Sequence, residues 1–374
     1  MKTGKVWLVG AGPGDVRLLT VKGKEALEEA EVIVYDHLVN KDLLAIFGQG
    51  KELINVGKQA GHHLIPQEEI QKILKRKARE GKRVVRLKGG DPFLFGRGGE
   101  EAKELADAGI DFEIVPGVTS ALAVPAYQGI PVTHRDYASS LHIITGHKRG
   151  ENTEPINYQA LASLDGTLVF LMGVTALPQI TEHLIEAGMD PETPAAVLQE
   201  GTTASQKRVL GTLETLAAEA KSAGVRPPAV IVVGEVCTLA PDLEWYGKLP
   251  LAGVRVLLAR PRERMNPLAK RLRQKGAQVL EVPAIETVPI PGQEQLISCM
   301  GELESYDWLV FTSQAGVDCF FQTLEEQNID IRRLYGRKIA VIGEGTGMAL
   351  KRRGIYPDLT PEVYDGVSLG RTLA

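Results

Sequence analysis

The chain has 374 residues, enough for two or three domains that each bury a core. Its 43 Lys and Arg against 47 Asp and Glu give a net charge of -4, so no basic field covers the molecule, and neither nucleic acid nor an anionic membrane is expected as a partner. The apolar runs are too short to span a bilayer, and no secretory signal is expected. The three cysteines have no CxxC spacing, which fits a reducing cytoplasm better than a disulfide framework or a metal site.

Short β-branched runs alternate with amphipathic segments from the first strand onward, which predicts an α/β fold. Residues 66–81 predict a helix, with Pro66 at its first position and Gly81 at its end. The later runs follow one another with less helix between them, so we expect a second lobe with a mixed sheet, beginning near Pro116. From residue 112 to the end of the second lobe, strands are predicted at 112–117, 140–147, 167–173, 194–201, 207–211 and 228–236.

The periodicity lapses around residues 240–253, where prolines flank a polar stretch, and this pattern is typical of a linker. Beyond it the alternation restarts, with strands predicted at 277–285, 307–313 and 338–346. We therefore predict three segments: a domain of residues 1–245 with lobes of about 1–115 and 116–245, a linker of 246–252, and an α/β domain of 253–374.

The glycine-rich turn after the first strand, "GAGPGD", differs from a dinucleotide-binding loop. Gly10, Gly12 and Gly14 are present, but Asp15 stands where the last glycine of that fingerprint belongs. Pro13 also removes a backbone donor that such loops turn toward phosphate. The turn is therefore a poor pyrophosphate site, and a sharp connection without a ligand is an alternative.

A second glycine-rich segment covers residues 84–101. Gly89 and Gly90 allow a ligand to approach the backbone, and Asp91 can accept from ribose hydroxyls or an amino group. Arg97, between two glycines, suits a carboxylate at the rim of a site. Two solvated turns are the alternative interpretation.

Other polar residues stand where strands end or helices begin. Asp36 and Lys58 follow strand ends, where open α/β sheets bind ligands; a turn-initiating Asp and a solvated Lys are the alternatives. Thr119 and Ser120 stand where a helix should begin, so capping is an alternative for both. Arg135 lies in the polar stretch "THRDYA".

Together these segments resemble the uroporphyrinogen-III C-methyltransferases of the tetrapyrrole methylase superfamily. The ordered motifs are "VGAGPGD", "VYDHLV", "VGKQAG", "QEEI", "VVRLKGGDPFLFGRGGEE", "VPGVTSA", "GIPVTHRDYA", "TGH" and "LVFLMGV". The resemblance implies a two-lobed α/β enzyme that binds S-adenosylmethionine between its lobes. It also implies that the enzyme methylates uroporphyrinogen III at C2 and C7 and so forms precorrin-2, a precursor for sirohaem or cobalamin synthesis. A homodimer is implied as well.

The resemblance also implies roles for individual residues. Asp36 and Lys58 match the proposed proton acceptor and donor, and Arg97 matches a rim arginine credited with holding the substrate or assisting deprotonation. Arg97, Arg135 and Lys58 are candidates for binding substrate carboxylates. The positions that match cofactor contacts are Pro13, Gly89, Gly90, Asp91, Leu94, Thr119, Ser120, Met172 and Gly201.

The region after the linker resembles uroporphyrinogen-III synthase through "VLLARPRE", "YDWLVFTSQAGVDCFF" and "KIAVIGEGTGMALKRRGI". That family has two lobes, and here one appears only in part, so we expect this region to be inactive as a synthase. Three alternatives for the whole chain stay open: a methylase of a later corrinoid precursor, an NAD-binding dehydrogenase, and a non-catalytic scaffold.

Overall fold

The structure, a computed structural model, describes residues 3–57, 65–146, 156–259, 262–282, 288, 290 and 294–374. The chain divides into two compact units, residues 1–284 and 285–374. No helix within the described ranges is both long and apolar enough to cross a membrane.

The first lobe is a parallel sheet with helices on both faces. Its strands are β1 (Lys5–Gly10), β2 (Val32–Tyr35), β3 (Glu52–Asn55), β4 (Val84–Lys88) and β5 (Asp111–Val115). Its helices are α1 (Val21–Glu29), α2 (Lys41–Phe47), α3 (Gln67–Arg79) and α4 (Gly98–Asp107). The strand order is β3-β2-β4-β1-β5, and every pairing is parallel.

Alternation along the strands sends apolar side chains to both faces of this sheet. In β1, Val6 and Leu8 join one core cluster with residues of α3 and α4, whereas Trp7 and Val9 join another with residues of α1 and α2. A strand that is buried on both faces has an uninterrupted apolar sequence, and "VWLV" in β1 is such a sequence. Because all five strands are parallel, their carboxyl ends lie at the same edge of the sheet.

The helix predicted at 66–81 is observed as α3. Pro66 is its N-cap residue and not its first helical residue, and Gly81, beyond its end, has a φ of +81°. Acidic residues in the first turn and basic residues in the last favour this helix through its dipole.

The second lobe has the mixed sheet that the sequence predicts. Its strands are β6 (Leu141–Thr145), β7 (Thr167–Leu171), β8 (Pro194–Gln199), β9 (Lys207–Thr212) and β10 (Ala229–Val233). Its helices are α5 (Ser120–Tyr127), α6 (Tyr158–Ala162), α7 (Leu177–Glu186) and α8 (Leu216–Ser222). The order is β6-β7-β10-β8-β9; β6 and β7 are parallel, and the other pairs are antiparallel.

A further parallel strand pair completes the first unit. It consists of β11 (Arg255–Leu258) and β12 (Gln278–Glu281), connected through α9 (Arg262–Gln274). The Gln278 side chain donates to Asp42 Oδ2 of the first lobe at 3.2 Å and accepts from the Ala204 N–H of the second lobe at 3.3 Å. In the segment predicted as a linker, the Leu251 N–H donates to the Lys275 carbonyl at 2.9 Å.

The second unit is also α/β. It contains α10 (Glu294–Gly301), β13 (Trp308–Phe311), α11 (Gln314–Glu326), β14 (Lys338–Val341), α12 (Glu344–Lys351) and α13 (Gly366–Leu373). β13 and β14 are parallel, and their core includes Met300, Phe311, Val317 and Leu350.

Candidate active site

Three backbone segments meet at the carboxyl ends of β1, β4 and β5 without side chains between them. Gly12 and Gly90 exchange hydrogen bonds, the two N···O distances being 3.2 and 2.8 Å. A Cβ on Gly10 would lie 2.5 Å from the Gly117 Cα and 2.6 Å from the Gly90 carbonyl oxygen. Glycine is therefore required here because the backbones are in direct contact.

Asp91 connects the turn after β4 to the turn after β5. Its Oδ1 accepts from the N–H groups of Phe93 at 2.8 Å and Leu94 at 3.1 Å, and its Oδ2 accepts from the Gly117 N–H at 3.0 Å. From its residue type and position, this carboxylate is predicted to accept from a ligand hydroxyl or amino group. In the structure both oxygens bind backbone amides, so Asp91 shapes the two turns.

Thr119 and Ser120 lie beside these turns at the start of α5. Thr119 is the N-cap, and its Oγ1 accepts from the Ala121 N–H at 3.2 Å, as the capping alternative predicts. A Cβ on Gly90 would lie 3.9 Å from the Ser120 nitrogen, with no nearer atom, and Gly90 has a φ of +68°. The turn after β4 thus lies next to the first turn of α5, close enough that a Cβ on Gly90 would be in ordinary van der Waals contact with it.

The second lobe reaches this region through the loop after β8. The Asp15 N–H donates to Thr202 Oγ1 at 3.1 Å, and a Cβ on Gly14 would lie 3.3 Å from the Gly201 carbonyl oxygen. Pro13 belongs to the same turn. Gly201 itself packs against Val124 of α5, where a Cβ would lie 2.4 Å from Cγ1. The turn after β1 is therefore a contact between the lobes.

Strained backbone is concentrated around the same segments. Five of the six non-glycine residues with positive φ in the described part of the chain are Phe95, Arg97, Met172, Glu200 and Thr202, with φ between 45° and 68°. Such conformations cost free energy and recur at ligand-binding sites. Met172, at the end of β7, is also 53% exposed.

The three candidate basic residues differ in their surroundings. Arg97 caps α4, and its Nε donates to Glu100 Oε1 at 2.9 Å; this hydrogen bond raises the pKa of the guanidinium above its usual value. Arg135 is exposed in a tight turn closed by His134 and Ala138. Lys58 lies outside the described residues.

Asp36 lies half-buried after β2, and its Oδ1 accepts from Arg86 Nη2 at 2.7 Å. Behind it, Arg86, Lys88 and Glu101 form a buried charged cluster that the sequence argument missed. The sequence does contain an indication of this cluster: Arg86 and Lys88 interrupt the apolar strand β4. Because they are two positions apart, their side chains lie on the same face of the strand.

A family model described as Tetrapyrrole (Corrin/Porphyrin) Methylases matches residues 5–217. The chain belongs to the tetrapyrrole methylase family. A second model, described as Uroporphyrinogen-III synthase HemD, matches residues 266–374. The resemblance drawn from the motifs and the two-lobed α/β fold are thereby confirmed, and the chain is a methyltransferase.

Relatives of this methylase match along most of its length. It is 46% identical over 374 residues to the porphyrin biosynthesis protein HemD of Ruminiclostridium josui, covering 100% of this chain and 74% of that protein. It is 42% identical over 364 residues to the uroporphyrinogen-III C-methyltransferase of Bacillus subtilis (strain 168), covering 96% of this chain and 74% of that protein.

The methylase part also resembles a solved structure. This is the uroporphyrin-III C-methyl transferase from Thermus thermophilus complexed with S-adenyl homocysteine, which is 42% identical with a TM-score of 0.55. The match covers 63% of this chain and 99% of that one.

Proposed function

We propose that this methylase transfers methyl groups from S-adenosylmethionine to C2 and C7 of uroporphyrinogen III, giving precorrin-2 by way of precorrin-1. Two findings support this proposal: the relative from B. subtilis is named a uroporphyrinogen-III C-methyltransferase, and the T. thermophilus structure is a complex with S-adenyl homocysteine. The product would serve sirohaem or cobalamin-type tetrapyrrole synthesis.

The observation that carries the donor site is the meeting of glycine turns from both lobes beside strained backbone. The positive φ of Gly90, the nearby start of α5 and the exposed side chain of Met172 suit a ligand held largely by backbone groups. When bound, S-adenosylmethionine supplies an electrophilic methyl group. We assign its contacts to Pro13, Gly89, Gly90, Asp91, Leu94, Thr119, Ser120, Met172 and Gly201, with Asp91 acting through the turns that it connects.

The protein's part in this chemistry is to position the reactants, exclude water and move a proton. Methylation of a pyrrole carbon leaves a cation that must lose a proton, so a nearby base accelerates the reaction. We assign proton acceptance to Asp36 and proton donation to Lys58. Arg97, Arg135 and Lys58 would bind the carboxylates around the macrocycle.

We also propose that residues 253–374 do not give this chain synthase activity. The support is architectural: within the described residues of the second unit, the sheet consists of the two strands β13 and β14. Robust conversion of hydroxymethylbilane to the type III isomer by the 374-residue chain would overturn this proposal.

Anaerobic incubation with uroporphyrinogen III and S-adenosylmethionine tests the main activity. We expect two molecules of S-adenosylhomocysteine per macrocycle and a dimethylated product whose new methyl groups lie at C2 and C7 by NMR. Methylation of a later corrinoid precursor but not of uroporphyrinogen III would favour the first alternative. Tight NAD binding without affinity for S-adenosylhomocysteine would favour a dehydrogenase.

A further inference from the structure

A cluster of buried charges lies behind the candidate proton acceptor and is not explained by the fold alone. Arg86 is 2% exposed, Lys88 is 4% exposed and Glu101 is fully buried. Burying charges costs several kcal/mol per ion unless each is well paired, and apolar residues of similar volume often stabilise a protein more. Such a cluster is therefore weak evidence for stabilisation, and here it lies directly behind the candidate proton acceptor.

Arg86 is held on every edge of its guanidinium. Nε donates to Glu101 Oε1 at 3.2 Å, and Nη1 lies 3.4 and 3.3 Å from the carbonyl oxygens of Val34 and Leu87. Nη2 donates to Asp36 Oδ1 at 2.7 Å. Because the planar fork is fixed at three nitrogens, the orientation of the edge facing Asp36 is fixed as well.

Glu101 anchors this arrangement from behind. Its Oε1 accepts from Arg86, from Lys88 Nζ at 3.1 Å and from Gln67 Nε2 at 2.8 Å, while Oε2 has no partner within the described part of the chain. Burial, and then the neighbouring charge of Arg86, holds the pKa of Lys88 below its usual value. The cluster therefore joins β4, α3 and α4 behind a single carboxylate at the cleft.

We propose that Arg86 is a positioning residue that holds Asp36 in the geometry for proton acceptance, with Glu101 anchoring Arg86. This inference rests on the proposed function, in which Asp36 is the base. Asp36 is 28% exposed whereas Arg86 is buried, so Arg86 acts through Asp36 and does not reach the substrate. With Oδ1 bound to Arg86, Oδ2 takes the proton, and the C–H electron pair stays with the macrocycle and neutralises its cation.

The test is a double-mutant cycle with Arg86→Gln and Asp36→Asn in the full chain. We expect Arg86→Gln to lower kcat about 30-fold, less than the roughly 100-fold or more that loss of the general base itself would cost, because Asp36 is still present but no longer held. KM for S-adenosylmethionine and Kd for S-adenosylhomocysteine should stay unchanged. In the Asp36→Asn background the same change should lower kcat by less than about twofold, because the residue that it positions is already disabled.

Glu101→Gln tests the anchor and keeps the volume of the side chain, so it also serves if Arg86→Gln does not fold. We expect a smaller fall in kcat with the same unchanged KM. The matched control is Glu104→Gln on the same helix, which removes a part-buried ion pair with Lys75 away from Asp36 and should leave kcat as it is.

Two results would overturn the proposal: a folded Arg86→Gln or Glu101→Gln with wild-type kcat, or losses from Arg86→Gln and Asp36→Asn that simply multiply. If the wild-type chain makes no S-adenosylhomocysteine from uroporphyrinogen III, the proposed function fails, and the same cycle is then measured by urea unfolding. Absence of favourable coupling between Arg86 and Asp36 in that cycle would show that Arg86 does not hold Asp36. Favourable coupling would support the positioning contact and place the error in the substrate assignment.

Discussion

Gly10→Ala should disrupt the donor site by forcing apart backbones that are in contact. The added Cβ would lie 2.5 Å from the Gly117 Cα and 2.6 Å from the Gly90 carbonyl oxygen, and ordinary contact begins near 3.4 Å. The strand ends must therefore separate by about 0.8 Å or more, and no flexible side chain is available to move instead.

We expect this substitution to lower the free energy of unfolding by about 3 kcal/mol, the upper part of the usual range for overpacking. Thermal unfolding should show a Tm lower by roughly 6 to 12 °C for a domain of this size. Calorimetric titration with S-adenosylhomocysteine should show a Kd raised about tenfold or more, because the turns are no longer preorganised.

Gly370→Ala is the control, since a Cβ at Gly370 of α13 would meet no atom within 4 Å and should add up to about 1 kcal/mol of helix stability. If Gly10→Ala keeps both the wild-type Tm and the wild-type Kd, the contact between these turns does not govern the site.

Three further variants or measurements follow from single contacts. Tyr127→Phe removes the O–H that donates to Asp15 at 3.0 Å and should cost about 1.5 kcal/mol in urea unfolding; an unchanged midpoint would refute that contact. Gln278→Leu removes the side chain that hydrogen-bonds to both lobes and should raise Kd for S-adenosylhomocysteine about threefold. Gln322→Leu, a control at an exposed glutamine, should leave Kd unchanged, and equal effects of the two substitutions would refute a specific role for Gln278. Burial raises the pKa of the Cys237 thiol to about 12, so iodoacetamide at pH 8 should label this residue only after unfolding, and stability should fall above pH 9, where the unfolded thiol alone ionises. Rapid labelling of Cys237 in the folded chain, distinguished by peptide mass mapping from labelling of the less buried Cys299 and Cys319, would contradict this.

Local patterns predicted much of the fold. The end signals of α3 and the apolar runs of β1 and β10 act within a few residues, so a sequence argument can use them directly. The shortage of helix between the later strands likewise predicted the mixed sheet of the second lobe. These features depend on neighbours in sequence.

The contacts that define the site depend on partners far apart in sequence. Arg86 and Asp36 are 50 residues apart, and Gln278 binds Asp42 across 236 residues. The residue type of Asp91 suggested a ligand contact, but its carboxylate binds backbone amides on two turns that only the folded sheet brings together. Sequence alone therefore indicated which segments carry unusual residue types, but not the long-range partners of their side chains.

A crystal structure of the chain with S-adenosylhomocysteine would test the central claim most directly. We predict that the ligand lies between the turn at Gly89–Asp91, the start of α5 and the loop at Gly201, with Asp36 facing the open side of the same site. Binding at any other place on the molecule would contradict it.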